Sequence, residues 1–145
     1  MATRRSTAPQ PDTPLVYAAG DVNAGRAPGV VSAAYTYNRT DEKITTNYAL
    51  DALHGTLVMQ GSMEGTTPVV SPNSGRLRTV GALGAGAFHS AAFDIADVSG
   101  AAFAALTTTG SAASRWVSID LKTGAAKPLG TIGGGEAVRG AALEP

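Results

Sequence analysis

Short apolar and β-branched runs, separated by clusters of Gly, Pro, Asn and Asp, follow one another along most of the chain. In residues 44–50 the alternation places Ile44, Tyr48 and Leu50 on one face, which is typical of a half-buried strand. The Ala-rich run 101–107 follows a glycine and ends in threonine, which favours a strand over a helix. The sequence therefore predicts an all-β fold, with strands at 15–19, 30–36, 44–50, 56–60, 76–83, 91–96, 101–107, 115–119, 125–132 and 140–143.

Two segments, 71–84 and 120–133, repeat one pattern of glycines and apolar residues. The paired positions are each 49 residues apart: Gly75 and Gly124, Val80 and Leu129, Gly81 and Gly130, Leu83 and Ile132, Gly84 and Gly133. Such a period, built of strands and turns, is typical of propeller blades or a similar β-array. It predicts about two four-stranded antiparallel, propeller-like units, at about 30–84 and 88–133, with a flanking strand before them and a closing strand at about 137–143.

The number of predicted units has a consequence for assembly. Known propellers have about four to eight blades, so two units do not close a ring. We therefore expect either a homo-oligomer or a missing propeller half to complete the array, because uncovered end strands are templates for further pairing.

Two predicted turns share the spacing Asp-x-x-x-Gly, at 51–55 (DALHG) and at 120–124 (DLKTG). An Asp side chain accepts hydrogen bonds from backbone N–H groups just after it, and Gly adopts the positive φ that closes a short hairpin. Both segments are therefore predicted to connect neighbouring antiparallel strands.

Composition limits the classes of function. The chain has 145 residues, which predicts one domain at 15–145 after a polar, Pro-rich arm at 1–14 that we expect to be disordered. Lys and Arg total 11, as do Asp and Glu, so no basic surface for nucleic acid is expected. Cysteine is absent, and no apolar run is long enough for a signal peptide or a membrane span. The sequence leaves the localisation open.

The chain resembles the DUF4394 family through several motifs that follow one another in order. These are LVYAAGDVNAGRAPGVVSAAYTYN, NYALD, SGRLRTVGALG, AAFDIA and WVSIDLKTGAAKPLGTIGGGEAVRGAAL. The resemblance covers about residues 15–143 and corresponds to the C-terminal part of that domain. It implies a bacterial, repeat-containing, propeller-like protein of a family that is often exported and has no established activity. It also implies that the chain lacks the family's N-terminal half and export signal.

Asp21 and Asn23, followed by Gly25, form the loop that most resembles a ligand site. Oxygen side chains at alternate positions before a glycine resemble the start of a calcium loop. The order is one residue short of an EF-hand and no Glu follows at the required distance, so turn chemistry is the competing interpretation.

The remaining candidates are scattered along the strands. His89, Asp94, Tyr48 and Trp116 are candidates for a channel or surface binding site. The alternative for the two aromatics is packing between units, and the alternative for Asp94 is an acid at a turn or strand end. No catalytic residue, metal site or cofactor is predicted. The favoured function is a non-enzymatic structural or binding module that self-associates. The alternative is a propeller-type hydrolase with a metal or acidic channel site, for which loop carboxylates such as Asp21, Asp94 or Asp97 would have to converge with a bound cation.

Overall fold

A computed structural model describes residues 13–144, which form two β-sheets and one three-residue 3-10 turn, Pro72–Ser74. The strands are β1 (Val16–Tyr17), β2 (Val30–Tyr35), β3 (Asn47–Asp51), β4 (Thr56–Gln60), β5 (Arg76–Ala82), β6 (Phe88–Ile95), β7 (Ala102–Thr108), β8 (Ser114–Ile119) and β9 (Ala126–Ile132). The prediction of an all-β fold is confirmed. Of the arm predicted at 1–14, residues 1–12 lie outside the described residues.

Each sheet contains one four-stranded antiparallel meander. The first sheet has the order β1-β5-β4-β3-β2 and the second the order β6-β7-β8-β9. β1 is the exception, because it pairs parallel to β5 through Val16–Arg76 and Tyr17–Leu77. The predicted strand at 15–19 is thus reduced to two residues at the edge of the first sheet.

Two predicted strands need correction. The strand predicted at 44–50 begins at Asn47, because a turn persists to Ile44, whose N–H donates to the Asp41 carbonyl. The closing strand predicted at 137–143 does not form. There, the N–H groups of Val138 and Leu143 donate to side chains of the second sheet instead of to a strand ladder.

The main hydrophobic core lies between the two sheets. Side chains from strands β2 to β9 point into it, including Leu50 and Leu57 from the first sheet and Leu106 from the second, all three fully buried. A smaller core covers the opposite face of the first sheet, where Tyr17 of β1 packs with Val58 and others.

β-Bulges mark the two meanders as copies of one unit. The first strand of each carries an extra residue, Val31 in β2 and His89 in β6. The fourth strand of each also carries one, Val80 in β5 and Leu129 in β9. The latter two are 49 residues apart, so the repeat read from the sequence corresponds to the last strand of each unit.

Close backbone approach joins the two units at Gly81. A Cβ atom on Gly124 would lie 2.7 Å from the Gly81 carbonyl oxygen, and one on Gly81 would collide with the carbonyl oxygen of Thr123. Next to this contact, the N–H of Ala126 donates to the Leu83 carbonyl at 2.9 Å. The end of β5 therefore docks on the β8–β9 turn, and only glycine fits at the point of contact.

Candidate functional site

The far face of the second sheet, defined as the face turned away from the first sheet, carries the most accessible aromatic pair. Phe103 of β7 and Trp116 of β8 alternate with core residues and so point away from the core. Their rings stack with centroids 5.5 Å apart and planes 5° apart, and both side chains are half-buried. A partly exposed, rigid aromatic stack is a typical anchor for protein binding.

Asp94 lies on the same far face, because it is the ladder partner of Phe103. Its carboxylate oxygen accepts a 2.6 Å hydrogen bond from the Leu143 N–H. The structure therefore brings two of the residues predicted for binding, Asp94 and Trp116, onto one surface. Their proximity comes from strand pairing across β6, β7 and β8, which no local pattern in the sequence reveals.

The C-terminal segment 137–144 covers part of this face. The N–H of Val138 donates to the Ser114 hydroxyl at 2.9 Å, and that hydroxyl also pairs with Thr107 at 3.0 Å in a buried site. Together with the bond to Asp94, these contacts hold the segment along the second sheet. The part of the far face nearest Trp116 stays partly open.

His89 occupies the bulge of β6 and is exposed. It lines an open cavity of about 380 Å³ with Val31, the bulge residue of β2, and Arg139. The bulge explains the exposure, because an extra residue interrupts the alternation and turns this side chain out of the ladder.

Tyr48 lies apart from the other three candidates. Only 5% of its surface is exposed, within the core between the sheets. Burial raises the pKa of the Tyr48 hydroxyl, with a smaller contribution from the charge of Glu64. In the described fold Tyr48 packs between units, which is the alternative that the sequence left open for these aromatics.

Asp21 and Asn23 tie the β1–β2 loop to β5. The Asp21 carboxylate accepts from the Thr79 N–H at 2.6 Å, the Thr79 hydroxyl at 2.8 Å and the Asn23 N–H at 2.9 Å. Burial acts to raise the pKa of Asp21, but these bonds lower it overall. The amide of Asn23 donates to the Thr79 hydroxyl and accepts from Arg26. The oxygens that a calcium ion would need are thus engaged in hydrogen bonds to the loop itself and to β5.

The acidic residues named for a channel site lie in different places. Asp21 contacts β5 of the first sheet, Asp94 lies on the far face of the second, and Asp97 is in the β6–β7 turn. Within residues 13–144, no group of three or more His, Cys, Asp or Glu side chains is close enough to hold a common metal ion.

One polar cluster was not predicted from the sequence. Asp51 is fully buried at the end of β3, and its carboxylate accepts from the Tyr17 hydroxyl at 2.5 Å, the Gly29 N–H at 3.0 Å and the His54 N–H at 2.9 Å. Burial acts to raise the pKa of Asp51, but the three donors lower it overall. The same burial, together with Asp51, raises the pKa of Tyr17.

His54 completes this cluster. Its ring lies 5.7 Å from that of Tyr17, and its Nε2 is buried without a hydrogen-bond partner in the described structure. The Asp-x-x-x-Gly spacing was the available signal, since it predicts the bond from the turn backbone to Asp51, but it cannot show that Tyr17 and Gly29 converge there.

In the part of the chain that the structure covers, no helix reaches the length and hydropathy needed to cross a membrane.

Comparison with known proteins identifies the family. The family model described as "Domain of unknown function (DUF4394)" matches residues 2–142. The match spans nearly the whole chain, so the chain belongs to this family, and the resemblance found in the sequence is confirmed. Neither the search of curated proteins nor the search of solved structures gave a match.

Proposed function

We propose that this member of the DUF4394 family is a non-enzymatic structural or binding module, in which each four-stranded meander is one propeller-like unit. In this proposal, copies of the chain associate to extend the array that one chain only begins. The observation that carries it is the repetition of one unit, with bulges in the first and fourth strands of both sheets.

Two further features support an array over a closed two-sheet domain. β2 and β6, the first strands of the two units, pack beside each other, as the first strands of neighbouring blades do around a propeller axis. The far face of the second sheet carries the half-buried stack of Phe103 and Trp116, and among residues 13–144 no third sheet covers it. Association that buries this face would remove apolar surface from water.

Light scattering after size exclusion, over a dilution series, tests the proposal. We expect a discrete oligomer at high concentration and a decrease in mass on dilution, because the chains associate reversibly. A mass of one chain, 14.5 kDa, at every concentration would contradict self-association.

A further inference from the structure

The repeat shows which residues of the second unit correspond to the docking surface of the first. In each unit a glycine follows the bulge of the fourth strand, and strand pairing fixes the residue opposite that glycine. Leu57 pairs with Gly81 in the first unit, and Trp116 pairs with Gly130 in the second. Trp116 is therefore the counterpart of Leu57. The offset of 49 residues makes Ile132 the counterpart of Leu83.

The counterparts differ in burial. Leu57 and Leu83 are 0% and 1% exposed, since both lie beneath the second sheet. Trp116 and Ile132 are only half-buried. The fourth-strand bulge residues differ in the same way: Val80 of the first unit packs against the core, whereas Leu129 of the second is 49% exposed. The second unit thus repeats the apolar surface by which the first unit docks, but leaves it only partly covered.

In the first unit, the β8–β9 turn covers the Gly81–Leu83 end of this surface. Gly81 touches Thr123 and Gly124, and the Leu83 carbonyl accepts from Ala126. At Gly130, the counterpart of Gly81, the position of a Cβ atom has no other heavy atom within 4 Å. The space that a turn occupies beside Gly81 is therefore open beside Gly130.

The repeat also identifies the turn that would fill the open space. Subtracting 49 from Thr123 and Gly124 gives Ser74 and Gly75, the end of the turn before β5. Within one chain this turn is covered by the N-terminal segment 13–17. A Cβ atom on Gly75 would lie 2.6 Å from the Thr13 carbonyl oxygen, and the Val16 N–H donates to the Gly75 carbonyl at 2.9 Å.

Residues 13–16 are a weak occupant of that position, because the strand Val16–Tyr17 is only two residues long and Val16 is 40% exposed. Tyr17 itself is firmly held, since it is 5% exposed and its hydroxyl donates to Asp51. The end of β5 contacts the Thr123–Gly124 turn of the second unit. Residues 13–16 contact the equivalent turn of the first unit, so they take the place that the fourth strand of a preceding unit would have.

We infer that the far-face edge formed by Trp116, Leu129, Gly130 and Ile132 binds the Ser74–Gly75 turn of a second copy of this chain. Residues 13–16 of that copy leave the turn, while its Tyr17 stays bonded to Asp51. This inference rests on the proposed self-association and specifies its contact. The interface is heterologous, with different surfaces from the two copies, so it generates a ring or an open filament.

Substitution of the exposed bulge residue tests the surface. We expect Leu129→Asp to raise the dissociation constant for self-association more than about tenfold, because docking would bury an unpaired carboxylate. Val98→Asp is the matched control: Val98 is also an exposed apolar residue (55%), but it lies in the β6–β7 turn. Circular dichroism should show that both variants keep the native fold.

Cysteine pairs test the partner segment directly, since the chain has no cysteine of its own. We expect mixed Leu129→Cys and Ser74→Cys chains to form a disulfide-linked dimer under mild oxidation. Mixed Val98→Cys and Ser74→Cys chains provide the control. Linkage no greater than in this control would overturn the assignment of the turn.

A third variant tests the displacement of residues 13–16 from the turn. Val16→Pro removes the N–H that donates to Gly75, so it should free the turn and lower the dissociation constant. An unchanged or raised constant would contradict the displacement of this segment.

The possible failures are distinguishable. A chain that stays monomeric at all concentrations overturns both the proposed function and this inference. A chain that associates, but does so equally well with Leu129→Asp and without linkage through Ser74→Cys, overturns this inference alone.

Discussion

Replacing Asp51 by Asn changes one atom in the most enclosed polar cluster of the first sheet. The Asp51 side chain has no exposed surface and accepts from three donors, namely the Tyr17 hydroxyl, the Gly29 N–H and the His54 N–H. An Asn side chain offers one acceptor oxygen, and its amide nitrogen is itself a donor. At least one of the three native donors must therefore lose its partner.

The magnitude follows from the number and kind of these bonds. A hydrogen bond to a charged group contributes about 1.5–3 kcal/mol, and a buried donor without an acceptor costs about 1–3 kcal/mol. Since the other bonds persist in weaker, uncharged form, we expect the free energy of unfolding to fall by about 2–4 kcal/mol at pH 7. Urea unfolding followed by circular dichroism measures this difference.

The matched control is Asp120→Asn in the second Asp-x-x-x-Gly turn. Asp120 is exposed and its side chain accepts from the Lys122 N–H at 2.8 Å, so water can replace the lost interaction. The loss of stability should be much smaller than at Asp51. Equal losses at the two positions would mean that the turn, and not the buried cluster, determines the effect.

The pH dependence provides a second check on Asp51. Its pKa is lowered in the folded protein, so ionised Asp51 stabilises the fold above the unfolded-state pKa of about 3.9, and this contribution is lost as the pH falls through the folded-state pKa. The gap between the native chain and Asp51→Asn should therefore shrink below about pH 4. A difference under about 0.5 kcal/mol at pH 7, or a gap that stays constant into acid, would refute the reasoning.

Three other substitutions test the packing of the sheets. Gly81→Ala should lower the free energy of unfolding by about 1–3 kcal/mol, because the added methyl group meets the backbone of the β8–β9 turn. Gly134→Ala is the control: its methyl group enters open space, so urea unfolding should show a change within about 0.5 kcal/mol. Leu57→Ala should cost about 2–5 kcal/mol by the same measurement, since the side chain is fully buried between the sheets. Asp21→Ala should speed amide hydrogen exchange at Thr79, whose N–H loses its acceptor, and unchanged exchange would contradict the role of this loop.

Much of the fold follows from local sequence. The strand at Thr56–Gln60 was predicted with its bounds, because β-branched and apolar residues lie between two turns closed by Gly55 and Gly61. The 49-residue repeat paired Val80 with Leu129, and in the structure these two residues are the equivalent bulge residues of β5 and β9. Turn chemistry and glycine spacing are local properties, so they can be read without knowing the tertiary structure.

Features that depend on long-range contacts were not predictable in the same way. The expected strand at 137–143 is absent, because its N–H groups bond to Ser114 and Asp94 instead. The cluster at Asp51 also needs Tyr17, which comes from another strand. The sequence named Asp94 and Trp116 separately, but only the strand register places them on one face.

Fluorescence of the single tryptophan tests the central claim, that this chain is an open pair of repeat units which associates through its far face. Trp116 is the only tryptophan and is half-buried on that face, so its emission reports directly on the proposed contact. The emission should be recorded over the concentration range in which light scattering shows the mass rising. We predict a shift to shorter wavelength as the oligomer forms, absent in Leu129→Asp at the same concentrations. An emission maximum that does not move while the mass rises would show that association uses another surface and would contradict the account.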